Sequence, residues 1–153
     1  MGFSEAVRTC LQLKYATFSG RASRSEYWWF FLFIMIVAIV LVGIGGGIMG
    51  ASGFADLQQG GDLPVASIIF FGLAGLFYLA VLLPIIAVTV RRFHDRDLSG
   101  WYYLAALVLG FVPFVGILAS IAAFVITVLK GTPGENKFGR DPLGPEHSAD
   151  VFN

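Results

Sequence analysis

Three stretches of this chain, Trp28 to Met49, Leu63 to Val90 and Trp101 to Leu129, contain no Asp, Glu, Lys, Arg or His. Each meets the roughly 20 residues that an α-helix needs to cross the hydrocarbon core of a bilayer. A soluble domain must clothe its surface in polar side chains. Here 57% of positions are hydrophobic and only 13% charged, against about 25% charged in soluble domains. The ten acidic and ten basic residues fall in four short islands between and around the runs. The expected fold is therefore an all-α membrane protein, a small helical bundle of three transmembrane helices spanning about 27–49, 63–90 and 101–129.

Orientation follows from the basic residues. Arg8, Lys14, Arg21 and Arg24 precede the first run, and Arg91, Arg92 and Arg96 follow the second, whereas the connector Gly50 to Asp62 carries only Asp56 and Asp62. The positive-inside rule puts the N-terminus and the loop 91–100 in the cytoplasm and the connector outside. Tyr27, Trp28 and Trp29 at the start of the first run, and Trp101, Tyr102 and Tyr103 at the start of the third, suit the headgroup boundary. The third run is harder to place. A single crossing would put Lys130, Lys137 and Arg140 outside, and a fully helical run reaches about 43 Å, too short for two crossings of a ~30 Å core. Pro113 either kinks one helix or turns a re-entrant pair; the preferred expectation is one kinked span.

Ahead of the first run, Phe3, Ala6, Val7, Cys10 and Leu11 recur with helical spacing, which predicts an N-terminal amphipathic helix over 3–14, either interfacial or packed on the bundle. The first run is too long for the apolar core of a signal peptide and sits behind about 26 residues of leader, so it is expected to remain as an anchor. Ala6 stands where an N-myristoylation motif needs Ser or Thr. Cys10 is the single cysteine, which excludes an intramolecular disulfide and a cysteine-based zinc site. Gly43, Gly47, Gly46 and Gly50 have the GxxxG spacing of close helix packing, within the chain or between copies in a homo-oligomer. Residues 144–153 are expected to form a disordered tail beyond a single domain, 1–143.

Two polar segments flank the runs. In the first, Ser23 and Glu26 have the spacing of a capping box, leaving Arg21 and Arg24 over. In the second, Arg91-Arg92-Phe93-His94-Asp95-Arg96, a continuing helix pairs Arg91 with Asp95 and sets Arg92 beside Arg96. That repulsion is relieved if the helix ends near His94, or if a carboxylate such as Glu26 or a lipid phosphate lies between the guanidinium groups. Asp97 or Ser99 could cap the helix that follows.

Three motifs in order carry a resemblance. They are Phe18-Ser19-Gly20-Arg21-Ala22-Ser23-Arg24-Ser25-Glu26-Tyr27-Trp28, then Arg91-Arg92-Phe93-His94-Asp95 with Ser99-Gly100-Trp101, and Gly131-Thr132-Pro133-Gly134-Glu135-Asn136-Lys137-Phe138-Gly139 with Asp141-Pro142. From about Lys14 to Pro142 the chain resembles the DUF805 family of uncharacterised bacterial inner-membrane proteins. The resemblance implies an inner-membrane location and supplies no substrate. Arg140 departs from the family pattern, which often has Pro there, and the external connector is longer than in compact members.

The leading expectation is a non-enzymatic membrane module in which Arg21, Arg24, Glu26, Arg91, Arg92, His94, Asp95 and Arg96 gather on the cytoplasmic side. They would bind an anionic lipid headgroup or an acidic protein partner, or tie the helices together by ion pairs. A small oligomeric transporter or channel is a second reading, although the runs hold no ionisable residue of the kind transport usually needs. A lipid-headgroup enzyme using His94 is a third, weakened because His94, Asp95 and Asp97 do not face a common point at such short spacing. No cofactor, metal site or nucleic-acid partner is expected.

Overall fold

The computed structural model describes residues 1–144, and every regular element among them is helical. The elements are α1 (Phe3–Arg8), α2 (Arg24–Ile48), α3 (Phe54–Gln58), α4 (Val65–His94), α5 (Trp101–Leu109) and α6 (Val115–Val128). Widened π turns extend α1 over Thr9–Leu13 and α2 over Met49–Gly53. The β interaction among the described residues is an isolated bridge between Asn136 and Gly139. Of the tail expected over 144–153, all but Gly144 lies outside the described residues, His147 included.

At 25 and 30 residues, α2 and α4 are long and apolar enough to cross a membrane. Only 6% and 11% of their most apolar windows are buried inside the chain, so neither is the core helix of a soluble fold. The chain divides into two compact units, residues 31–83 and the remainder. In the 31–83 unit, Phe33 and Phe77 meet edge-on with centroids 6.1 Å apart. A Cβ on Gly45 would lie 3.2 Å from both Phe70 and Phe71, so this glycine permits the close approach of α2 and α4. Gly43, Gly46, Gly47 and Gly50 have no side-chain neighbour within 4 Å of a Cβ among the described residues. Their small surfaces do not pack the two helices together.

The other unit has a polar interior. Arg91, Arg92, Glu26 and Asp95 are buried alongside Ala6, Cys10, Ala22, Phe30, Val88 and Phe93. Helix α1 turns Ala6 and Cys10 inward and sets Phe3 edge-on against Trp29, so the central residues of its apolar stripe meet protein. The capping box expected at α2 is half made. Ser23 Oγ accepts from the Glu26 amide at 3.1 Å, but the Glu26 carboxylate goes to Arg91 instead of returning to the cap.

The expected single kinked span over 101–129 does not form as one helix. Helix α5 stops at Leu109, and Phe114 adopts a left-handed φ of 64° before α6 begins at Val115. Pro113, which has no amide proton to continue an α-helix, sits inside that break. Helices α5 and α6 pack against each other as a hairpin. The physical reason for the reversal is the pair Gly110 and Gly116: a Cβ on Gly116 would stand 2.7 Å from the Gly110 carbonyl oxygen. At 9 and 14 residues, neither helix reaches spanning length. Phe111 and Phe114 at the turn are 90% and 82% exposed, an apolar tip with no protein around it.

The break gives a direct test. Replacing Gly116 by Val should destabilise the detergent-solubilised protein by about 1–3 kcal/mol through overpacking against the Gly110 backbone. Gly43→Ala, in open space, should leave the melting temperature unchanged or slightly raised, because alanine suits a helix interior better than glycine.

Candidate functional site

Where α4 ends, its last turn presents two guanidinium groups inward, and each finds its carboxylate on a different segment. Arg91 Nη1 donates to Glu26 Oε1 of α2, and Arg92 Nη1 donates to Asp95 Oδ2. Arg21, arriving from the segment before α2, donates through Nε to Asp95 Oδ1 at 2.9 Å, and its Nη2 lies 2.9 Å from the same oxygen. Asp95 therefore bridges two arginines 71 positions apart in sequence. The expected Arg91–Asp95 helical pair does not form. The Asp95 amide keeps the helical contact to the Arg91 carbonyl at 3.1 Å, while its carboxylate turns to Arg92, three residues back, and to Arg21.

Backbone carbonyls complete the arginine shells. Arg92 Nε donates to the Thr127 carbonyl at 3.1 Å, and its Nη2 donates to the carbonyl of Leu129, so the cluster holds the end of α6. Arg21 donates to the carbonyls of Gly134 and Thr132, each at 2.5 Å, and so holds the segment beyond α6. Arg96 Nη1 donates to the Lys130 carbonyl. In return the Thr132 amide donates to the Asp95 carbonyl at 2.8 Å, and the Ala22 amide donates to the Arg91 carbonyl at 3.0 Å. Gly131 touches Asp95 so closely that a Cβ there would lie 2.6 Å from the carboxylate carbon.

His94 is built into the same knot. Its Nδ1 donates to the Gly20 carbonyl at 3.1 Å, since a carbonyl can only accept, and its ring stacks on Phe138 with centroids 3.9 Å apart and planes within 3°. Asn136 Nδ2 donates to the His94 carbonyl at 2.9 Å and to Thr132 Oγ1 at 3.1 Å. The turn-rich segment 131–139 is thus folded over the end of α4. Asp97, at φ 59°, caps no helix and pairs with exposed Lys137 at 3.6 Å. Ser99 Oγ accepts from the Trp101 amide at 3.4 Å.

The structure brings together Arg21, Glu26, Arg91, Arg92, His94 and Asp95, with Arg96 beside them reaching the Lys130 carbonyl that follows α6, and leaves Arg24 exposed. Cys10, on the apolar stripe read from the sequence, is buried with its sulfur 3.9 Å from Glu26 Oε1. Burial, and next the Glu26 charge, push its thiol up to about 12, against a smaller opposing pull from Arg91. It is a neutral packing group at physiological pH. Arg91 Nε and Nη2 are buried without an oxygen acceptor among the described residues. Sequence reasoning missed the carbonyls of Thr127, Leu129, Thr132 and Gly134, because backbone acceptors leave no trace in residue type. The glycines of 131–139 were the visible signal, and only the fold shows what they make room for.

Chemically, both carboxylates are already held by guanidinium groups, so they serve as anchors for cations. Among the described residues no three His, Cys, Asp or Glu side chains gather where they could share a metal ion.

The family described as "Protein of unknown function (DUF805)" matches residues 15–140. The inner membrane protein YhaI of Escherichia coli (strain K12) is 38% identical over 128 residues, covering 84% of this chain and 87% of that protein. The inner membrane protein YhaH of the same strain is 38% identical over 128 residues, covering 84% and 88%. The uncharacterized protein YiiR of that strain is 31% identical over 160 residues, covering 88% and 91%. No solved structure matches the chain.

Removing one partner of a buried ion pair costs about 3–5 kcal/mol, because the other charge is left uncompensated. Asp95→Asn, which strips the carboxylate from Arg21 and Arg92 together, should reach or exceed that loss in chemical denaturation of the micellar protein. Gly131→Ala should act in the same direction by displacing Asp95, whereas exposed Arg24→Gln should change stability by less than about 0.5 kcal/mol.

Proposed function

Since the chain belongs to the DUF805 family, whose Escherichia coli relatives include inner membrane proteins, we propose that it is a non-enzymatic bacterial inner-membrane module with both its N-terminus and residue 144 on the cytoplasmic side. In this reading α2 and α4 cross the membrane and the α5–α6 hairpin enters from the cytoplasmic face and returns to it. The module's role is to present a rigid basic surface to anionic lipid headgroups.

One observation carries the reading. All ten Lys and Arg residues lie outside residues 31–83, in the one unit knotted by Arg21, Arg91 and Arg92. A single third crossing would have put Lys130, Lys137 and Arg140 on the outer face. The hairpin instead brings residues 130–134 back to Arg21 and Arg96, so every basic island can obey the positive-inside rule. The tip at Phe111 and Phe114 then lies among acyl chains, which accounts for its exposure.

Within the basic unit the arginines divide by burial. Arg21, Arg91 and Arg92 are at most 5% exposed and hold the helices in place, a structural part of the same cluster. Arg8 and Arg24 are exposed and Lys14 is half-buried, which leaves them available to headgroups at about 1 kcal/mol each near an anionic surface. The reading asks lipid binding of this outer set and helix fixation of the inner one.

Topology is tested by fusing reporters after Gly144. A fluorescent protein that matures only in the cytoplasm should glow there, and a periplasmic phosphatase fused at the same point should stay inactive. The reverse pattern would restore a third full crossing.

Lipid binding is tested by thermal unfolding with added phosphatidylglycerol or phosphatidylcholine. Binding to the folded state raises the melting temperature by mass action. The anionic lipid should raise it more, and the Arg8→Gln/Lys14→Gln/Arg24→Gln variant should lose that preference while keeping its lipid-free melting temperature. Equal responses to both lipids in the wild type would sink the headgroup reading.

A further inference from the structure

Against the ion-pair knot, and sharing His94 with it, a groove of about 260 Å³ is lined by Phe18, Ile86, Val90, His94, Ser99, Gly100, Trp101 and Leu104. We propose that this groove holds a single phospholipid, its acyl chain along the apolar wall and its ester and headgroup at His94 and Ser99. The proposal rests on the reading that α4 and the hairpin lie in a bilayer, and adds to it a discrete site distinct from the exposed basic residues.

The geometry begins with helical spacing. Ile86, Val90 and His94 stand at i, i+4 and i+8 on α4, one face rising about 12 Å toward the charged end of the helix. The facing wall is the start of α5, where Trp101 and Leu104 sit at i and i+3. The two walls meet at Gly100, where a Cβ would come within 2.5 Å of Val90 Cγ1, so a side chain at this position would force them apart. The groove is thus a shaped feature of the packing between α4 and α5.

Its polarity runs in the order of a lipid. Ile86, Val90 and Leu104 offer only hydrocarbon, whereas His94 stands in the last turn of α4 with the arginines and Ser99 lies just ahead of α5. His94 is held by its stack on Phe138 and by donating Nδ1 to Gly20, which leaves Nε2 of the neutral ring as an acceptor for a headgroup donor. The Ser99 hydroxyl, accepting from the Trp101 amide, retains its proton for an ester or phosphate oxygen. Trp101, 76% exposed beside them, suits the glycerol level where indole rings settle. On an inner-membrane protein, an apolar groove between two lipid-facing helices opens onto acyl chains, and the matched polar end distinguishes one held lipid from passing solvent.

The test uses the full chain in mild detergent with a phospholipid carrying a photoactivatable diazirine in its acyl chain, followed by mapping of the labelled peptides. Label should concentrate on segments 86–104 of the wild type and fall about tenfold, equivalent to about 1.4 kcal/mol in affinity, when Leu104→Trp fills the groove. Ile86→Phe, a smaller filling change, provides the same comparison should Leu104→Trp fail to fold, and the wild-type map stands without either. Label spread evenly over the apolar faces of α2 and α4, or undiminished in a folded groove-filling variant, would overturn the site. If labelling stays in the groove while the reporter fusions place residue 144 outside, the topology falls and the groove stands.

Discussion

The Asp95 carboxylate, shared between Arg21 and Arg92, is the contact on which the rest of the charged unit depends. It fixes the segment before α2 to the end of α4. Its own backbone carbonyl then accepts from both the amide and the hydroxyl of Thr132, which ties in the chain after α6. A second pair, Arg91 with Glu26, joins α4 directly to α2. Buried ion pairs gain little net stability, because desolvating the charges costs about as much as pairing returns. Their effect is conformational: any arrangement that separates the partners strands a charge in a buried place, so competing packings of these apolar helices are penalised heavily.

That role answers a problem particular to membrane helices. In lipid, apolar surfaces gain no hydrophobic advantage from meeting one another, so helix position must be set by close packing and polar contacts. Here close packing acts where Gly45 meets Phe70 and Phe71. The polar contacts act at the other end of the same two helices, where the largest fully buried side chains are Arg91 and Arg92. Large apolar side chains such as Ile39, Leu76, Leu79, Val108 and Leu118 are exposed. The distribution is the reverse of a soluble core, as expected where the surrounding solvent is hydrocarbon.

The hairpin follows from the same economy of contacts. Arg92 holds the end of α6 through the carbonyls of Thr127 and Leu129, while Tyr103 near the start of α5 meets Phe93 of α4 with ring centroids 5.7 Å apart. Trp28 of α2 meets Phe124 of α6 edge-on at 5.8 Å. Both ends of the run 101–129 are therefore anchored to the end of α4, and a straight helix about 43 Å long could not satisfy both anchors. The groove beside His94 lies where α5 leaves α4.

Much of this was legible in the residues. Uncharged runs of more than 20 residues, far longer than a barrel strand, pointed to helices with lipid-facing surfaces, because a helix satisfies its own backbone there. The placement of Arg21, Arg91 and Arg92 beside those runs, with Glu26 and Asp95 close in sequence, identified the members of the cluster and the family to which the chain belongs. What sequence could not settle was pairing and direction. Asp95 is four residues from Arg91 and three from Arg92, and helical spacing allows either; in the fold Glu26 takes Arg91, and Asp95 pairs with Arg92 and with Arg21 from 74 positions away. Likewise Pro113 permits a kink or a reversal, and local preference does not distinguish them. The choice was made by Gly116 closing on Gly110 and by the carbonyls of 127–134 meeting arginines that precede them by 35 to 113 residues. By itself the sequence determined the helices, the solvent they face and the charges that must be buried or neutralised, all of which are local properties. Only the tertiary structure decided which charges neutralise one another and where the chain turns back, since those depend on contacts between segments far apart in the chain.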